Sequence, residues 1–164
     1  MKSKIILIVL NLFILLGFIN WSAYKKECLL ADGQLVLLKL APVDPRSLMQ
    51  GDYMRLSYAI ASNDESKMKL AKRGFIVVKL DKNNVAERVR VQSEKEPLST
   101  GEYLINYTLD KYGWQSNIGA ESYFFEEGMA KKFENAQYGA LRIDNKGNSL
   151  LAGLYSKDLK FIKP

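Results

Sequence analysis

Residues 44–58, DPRSLMQGDYMRLSY, bring together the side chains of this chain best suited to act in concert. Asp44 and Asp52 supply carboxylates, Arg46 a guanidinium, Ser47 a hydroxyl, and Tyr53 and Tyr58 two phenols. Facing outward together, Asp44, Arg46, Asp52 and Tyr53 would form a polar binding corner that pairs with charged groups through charge-assisted hydrogen bonds. A hydrolase here would use Ser47, or another hydroxyl, as its nucleophile, and would need a base beside it. The chain contains no histidine, which removes the commonest general base and the commonest metal ligand. Cys28 is its single cysteine, so neither an intramolecular disulfide nor a thiolate metal cluster can form within one chain. Ser-His-Asp and Cys-His sites are excluded on those counts.

The same residues also read as backbone architecture. Pro45 fixes its own φ and turns Asp44 away from helix, while Gly51 can take a positive φ. Asp44 and Asp52 can accept hydrogen bonds from nearby backbone N–H groups and so stabilise a turn. Beyond them, alternation places Met54, Leu56, Tyr58 and Ile60 on one strand face and Tyr53, Arg55 and Ser57 on the other. Tyr58 then enters the core, where its hydroxyl needs a partner. Gly51, Asp52, Leu56 and Tyr58 would on this reading shape the lead-in to a strand.

The element that positions all of this begins at the N-terminus. Residues 5–24, IILIVLNLFILLGFINWSAY, carry no charge and lie between Lys2 and Lys4 on one side and Lys25 and Lys26 on the other. Twenty helical residues span about 30 Å, the thickness of a hydrocarbon core. Trp21 and Tyr24 stand where an interfacial aromatic belt is expected. A cleaved signal peptide fits less well, because a cut after Ala23 would place Trp21 at the −3 position. Cys28 follows Lys26-Glu27, so it does not resemble a lipid-modified cysteine. The expected layout is a short flank at 1–4, a transmembrane signal anchor at 5–24, a juxtamembrane linker at 25–32, and a domain at 33–164. Balanced lysine flanks leave orientation open. A long folded domain behind a short tail is expected outside the cytoplasm, anchored in the cytoplasmic (inner) membrane. Asn11, inside the apolar run, is a candidate for a hydrogen bond to a neighbouring helix.

Charge says little more. The net charge is +6, and all but two of the 24 basic residues, with all 18 acidic ones, lie from Lys25 onward. Signs are interspersed and runs such as KMKLAKR are short, so no nucleic-acid footprint is expected. A mild attraction to anionic lipid headgroups suits a basic domain beside a bilayer.

From Gly33 the dominant period is two. Strands are expected at 34–41, 53–60, 75–80, 85–91, 102–110, 138–144 and 148–156. DKNN should turn between the third and fourth, with an Asn free for a left-handed position, and NKG between the last two. In 85–91, Val85, Glu87, Val89 and Val91 should share a face opposite Arg88 and Arg90. Short helices are expected over 62–73, capped by Asn63 or Asp64, and over 126–136, with Met129 and Phe133 buried. The fold class is therefore mainly β, an antiparallel sheet or partly open barrel with one or two short helices, on a single N-terminal transmembrane helix.

GDYMRLSY, with Gly51, Asp52, Tyr53, Leu56 and Tyr58 in place, resembles the signature of the GDYXXLXY family. The likeness continues through RGFIVVKLD, PLSTGEYLINY and GAESYFFEEGMAKKFENAQYGALRIDNKGNSLLAGL, across essentially the whole soluble part. The resemblance implies a small membrane-anchored bacterial protein of uncharacterised function, whose relatives are encoded near polytopic membrane proteins. A fainter likeness links SLMQGDYMRLSY to the strand lead-in of type I signal peptidases, and implies a shared or analogous β scaffold without their chemistry. Aligned on Gly51-Asp52, Leu48 fits that pattern, but Val43 stands at the nucleophile position, Asp44 follows it, and Arg46 replaces the proline. Ser47 is four residues out of register, and Arg88 and Arg90 stay protonated where a lysine base would be wanted.

The other candidates have plainer readings. Glu126 and Glu127 suit a helix start better than acid–base work with Glu121. DNKGNS lacks the alternating acids of a calcium loop. SYFF, with Tyr112 and Trp114, is expected in the core, with any exposed member forming an interaction patch. No phosphate-binding glycine loop is present. No cofactor and no metal are expected, and the ligand is left open. The function expected is a membrane-anchored, non-enzymatic accessory subunit or binding domain that associates with a polytopic membrane protein. The alternatives are an envelope serine-type hydrolase and a domain binding envelope glycan or lipid headgroups.

Overall fold

The alternating apolar residues from Gln34 onward close into two four-stranded antiparallel sheets and a two-stranded ribbon. A computed structural model describes residues 2–41, 53–62, 70–110 and 116–163. The first sheet runs β1 (Gln34–Lys39), β8 (Ala136–Ile143), β9 (Ser149–Ser156) and β10 (Phe161–Ile162) in spatial order. The second runs β4 (Ala86–Gln92), β3 (Arg73–Leu80), β5 (Glu102–Leu109) and β6 (Ser116–Asn117). The ribbon pairs β2 (Tyr53–Arg55) with β7 (Ser122–Phe124). The mainly β expectation therefore holds as open sheets, and no barrel closes among the described residues.

The two sheets meet at a corner where the Leu37 N–H donates to Asn84 O at 2.8 Å and Leu37 bridges Val85 in parallel. The core gathers Val36 and Leu38 from β1, Ile76 and Val78 from β3, Ile105 and Tyr107 from β5, and Leu141, Ile143 and Leu154 from β8 and β9. Leu37 is buried as well, which explains why β1 reads as a continuous apolar run instead of an alternating one.

Two hairpin turns use one device. In the β3–β4 turn, Asp81 Oδ1 accepts from the Asn83 and Val85 N–H groups at 2.7 and 2.8 Å, and Asn84 takes the expected left-handed position at φ 61°. In the β8–β9 turn, Asp144 Oδ1 accepts from the Lys146 and Asn148 N–H groups, each at 2.8 Å. Each aspartate satisfies backbone donors that the turn would otherwise leave to solvent.

Three expectations are corrected. The 53–60 strand ends at Arg55 and passes into a 3-10 turn at Ala59–Ala61, yet Met54, Leu56, Tyr58 and Ile60 are still all buried. In β4, Val77 pairs with Arg90 and Val78 with Arg88, so Val89 is an extra residue that breaks the alternation. Val89 is left exposed, while Val91 packs on the core. The helix expected over 126–136 shrinks to a single turn, α2 (Ala130–Phe133), because Gly128 sits at φ 83° and interrupts it. Phe133 and Met129 still face the core. Most of the helix expected over 62–73, and its caps Asn63 and Asp64, lie outside the described residues.

The N-terminal helix α1 spans Lys2–Asp32 and is long and apolar enough to cross a membrane. It runs unbroken through residues 25–32. Its end is fastened to the first sheet, where the Arg142 guanidinium donates to Gly33 O at 2.8 Å. The Gly33 N–H donates in turn to Leu29 O at 3.0 Å.

Candidate functional site

The described part of the 44–58 segment is built around the β2–β7 ribbon. Antiparallel pairing sets Tyr53 opposite Phe124, Met54 opposite Tyr123 and Arg55 opposite Ser122. Because side chains alternate, the ribbon has one face toward the core and one toward solvent.

The inner face carries Met54 and leads on to Leu56 and Tyr58, all nearly inaccessible. The Leu56 N–H donates to Glu121 O at 2.8 Å. The Tyr58 hydroxyl donates to the buried Ala120 carbonyl at 2.6 Å, which supplies the partner a core phenol needs. Its ring lies on β8 at Gly139, where an added Cβ would stand 2.8 Å from Cε1 and 3.0 Å from the hydroxyl oxygen. Burial, and then the negative charge of Glu121, push the Tyr58 phenol well above the ordinary tyrosine range, so it stays protonated as the donor to Ala120. The carboxylate of Glu121 is itself engaged, accepting from the Ile118 N–H and, at 3.2 Å, from the Gly119 N–H.

The outer face differs. Phe124 is 74% exposed, and its ring centroid lies 5.8 Å from that of half-buried Tyr53. Arg55 follows on the same side, exposed. Neighbouring Tyr123 and Phe125 turn inward and pack against Phe133, with centroids 5.1 and 5.4 Å from it. The SYFF aromatics are thus divided, two toward the core and Phe124 to solvent.

The ribbon's surroundings are pinned by backbone. The Ala41 N–H donates to Ser57 O and the Leu40 N–H to Gln137 O, each at 2.8 Å. Between Leu40, Met54, Leu56 and Phe133 lies a cleft of about 50 Å³. Small-molecule sites usually measure a few hundred Å³ or more. Of the expected binding corner, Tyr53 is placed on the outer face. Asp44, Pro45, Arg46, Gly51 and Asp52, like Ser47, Tyr112 and Trp114, lie outside the described residues.

The arginines of β4 are structural. Arg88 donates to the carbonyls of Ile60 and Ser62 at 3.2 and 3.1 Å. Arg90 grips Glu102 with both terminal nitrogens, at 2.7 and 2.8 Å, and donates to Pro97 O at 2.6 Å. The Arg90 hydrogen bond, then the Ser99 N–H, hold the Glu102 carboxyl down at about 2. Sequence reading passed over this pair, because residues 12 apart in sequence carry no local signal.

Within α1, Asn20 donates to Leu16 O at 2.8 Å. The Asn11 side chain is exposed in the apolar run and, among the described residues, has no hydrogen-bond partner.

Fold and site together define an antiparallel β domain carried on an N-terminal apolar helix, with a Gly-Asp-Tyr segment leading into a ribbon that is half core and half surface. No curated relative and no solved structure matches the chain. A family of proteins named for this segment does match, over residues 15–154. The chain belongs to the GDYXXLXY protein family.

Proposed function

We propose that the protein is a non-enzymatic accessory subunit of the cytoplasmic membrane. Its helix is an uncleaved single-pass anchor, and its β domain lies on the extracytoplasmic side. It binds a polytopic membrane protein through α1 and through the outer face of the ribbon.

The observation that carries this reading is Asn11. An amide in hydrocarbon without a partner on its own helix favours a neighbouring one, and such a contact is worth about 1 kcal/mol. Three further features support it. The family match begins at residue 15, inside the helix, and the helix runs unbroken past Ala23 to Asp32, as expected of a retained anchor. Phe124 and Tyr53 give the domain an outward aromatic pair of the kind enriched at protein interfaces. The cleft beside the ribbon is too small for an organic substrate.

The test is purification of the full-length chain from its native membrane in mild detergent after gentle crosslinking. A stoichiometric polytopic protein should accompany the wild type and be depleted by Asn11→Leu. Asp52→Ala and Arg46→Ala should weaken the complex while leaving the chain folded. If they unfold it, the 44–53 turn is structural and takes no part in binding. A protein that arrives alone, or crosslinked only to a second copy of itself, contradicts the proposal. Labelling by a fluorophosphonate probe would favour the serine-hydrolase alternative instead.

A further inference from the structure

The C-terminal turns of α1 do not simply lead into the sheet. Ser22, Lys25, Lys26 and Leu29 recur at helical spacing, and with the β8–β9 turn they enclose an open cleft of about 460 Å³. Lys146 and Asn148 stand on the opposite wall.

The charges of this cleft do not cancel. Three lysines face one carboxylate, Asp144, and that carboxylate is occupied by its own turn. Its Oδ1 accepts from two backbone N–H groups, and its Oδ2 accepts from the Asn148 amide at 2.8 Å. Burial works against its charge, but these hydrogen bonds, and then the Lys146 charge, leave its carboxyl below the ordinary value, so it offsets part of one lysine and leaves the cleft with a net positive charge. Lys25 lies over the Trp21 ring with its nitrogen 5.1 Å from the centroid. Among the described residues none of the three ammonium groups forms an ion pair.

Depth settles what such a cleft would meet. Trp21 and Tyr24 end the apolar run, and the cleft opens within a turn of them, at the level where aromatic belts sit among headgroups. We propose that this cleft binds the phosphate of an anionic phospholipid, with Lys25, Lys26 and Lys146 as its cationic contacts and the Asp144 turn holding Lys146 in place. The lipid would clamp the β8–β9 end of the domain against the bilayer. This site rests on the retained membrane anchor proposed above, but it is separate from the ribbon face and independent of the membrane partner.

The experiment is native mass spectrometry of the full chain in mild detergent micelles, titrated with phosphatidylglycerol, with phosphatidylcholine and inorganic phosphate as comparators. One phosphatidylglycerol should stay bound in preference to phosphatidylcholine. Each single change, Lys25→Gln, Lys26→Gln or Lys146→Gln, should weaken binding about fivefold, and the triple change about a hundredfold. Lys4→Gln, at the other end of α1, should leave affinity unchanged. Lys146→Gln is decisive, since a generic basic helix flank would bind without it. This variant alters one exposed side chain at a turn, and an unchanged thermal midpoint shows that it is folded. Undiminished binding by Lys146→Gln overturns the cleft. Displacement of the lipid by an equal concentration of inorganic phosphate overturns the lipid as the source of the phosphate.

Discussion

The two faces of the β2–β7 ribbon are built from adjacent residues of one motif and have opposite environments. Inside, Leu56 and Tyr58 are sealed, and the Tyr58 hydroxyl is held by Ala120 while its ring fills the space that Gly139 leaves. Outside, Tyr53 and Phe124 pair across the ribbon with most of the Phe124 ring in solvent. A motif with Tyr53, Leu56 and Tyr58 as fixed positions therefore joins two environments. Two of its side chains specify the fold, and one belongs to a surface. Which residue does which follows from the parity of the strand, not from residue type, since both tyrosines could have served either role.

Substitutions should separate the faces, beginning with the largest effect. Tyr58→Ala removes a buried ring and orphans the Ala120 carbonyl, and should cost about 3–5 kcal/mol, a large share of the stability of a small domain. Thermal unfolding of the full chain in detergent, followed by circular dichroism, checks this. A midpoint close to wild type would erase the contrast. Gly139→Ala should cost about 1–3 kcal/mol, because the clashing Tyr58 ring is held by its hydrogen bond and cannot move aside cheaply. In the Tyr58→Ala background the same glycine change should lose most of its effect, and simple additivity would show that the two residues are not in contact. Tyr58→Phe should cost about 1–3 kcal/mol through the unsatisfied Ala120 carbonyl. Phe124→Ala, on the outer face, should cost less than about 1 kcal/mol.

Acid stability sharpens the comparison from another side. Glu102 is held at about 2 against an ordinary value of about 4.5, so its stabilising pairing is complete above about 4.5 and is lost as pH falls toward about 2. Glu102→Gln should lower the midpoint at pH 7 and flatten the midpoint's fall over that interval. If the fall persists undiminished, other carboxylates govern it, and Asp52 of the motif becomes a structural candidate.

The sequence was most legible where local rules applied. Alternation identified Met54, Leu56, Tyr58 and Ile60 as one buried set, even though regular strand geometry stops at Arg55, because the pleat's parity survives a short irregular stretch. The DKNN turn was readable down to its left-handed asparagine. The bulge at Val89 was not, since an extra residue in one strand is visible only once its partner is known. The same limit hid the Arg90–Glu102 clasp and the cleft of Lys25, Lys26 and Lys146, whose members lie up to 121 positions apart in the numbering. Phe124 was expected within an aromatic core. Only the pairing of β7 with β2 decides that it points outward.

The most direct measurement is recovery of the proposed crosslinked membrane partner by the full-length Phe124→Ala chain, with its thermal midpoint taken on the same preparation. The variant should melt within a few degrees of wild type and no longer retain the proposed partner. Full recovery of the partner, or a midpoint lowered as far as that of Tyr58→Ala, would contradict a division of the ribbon into a structural inner face and a binding outer one.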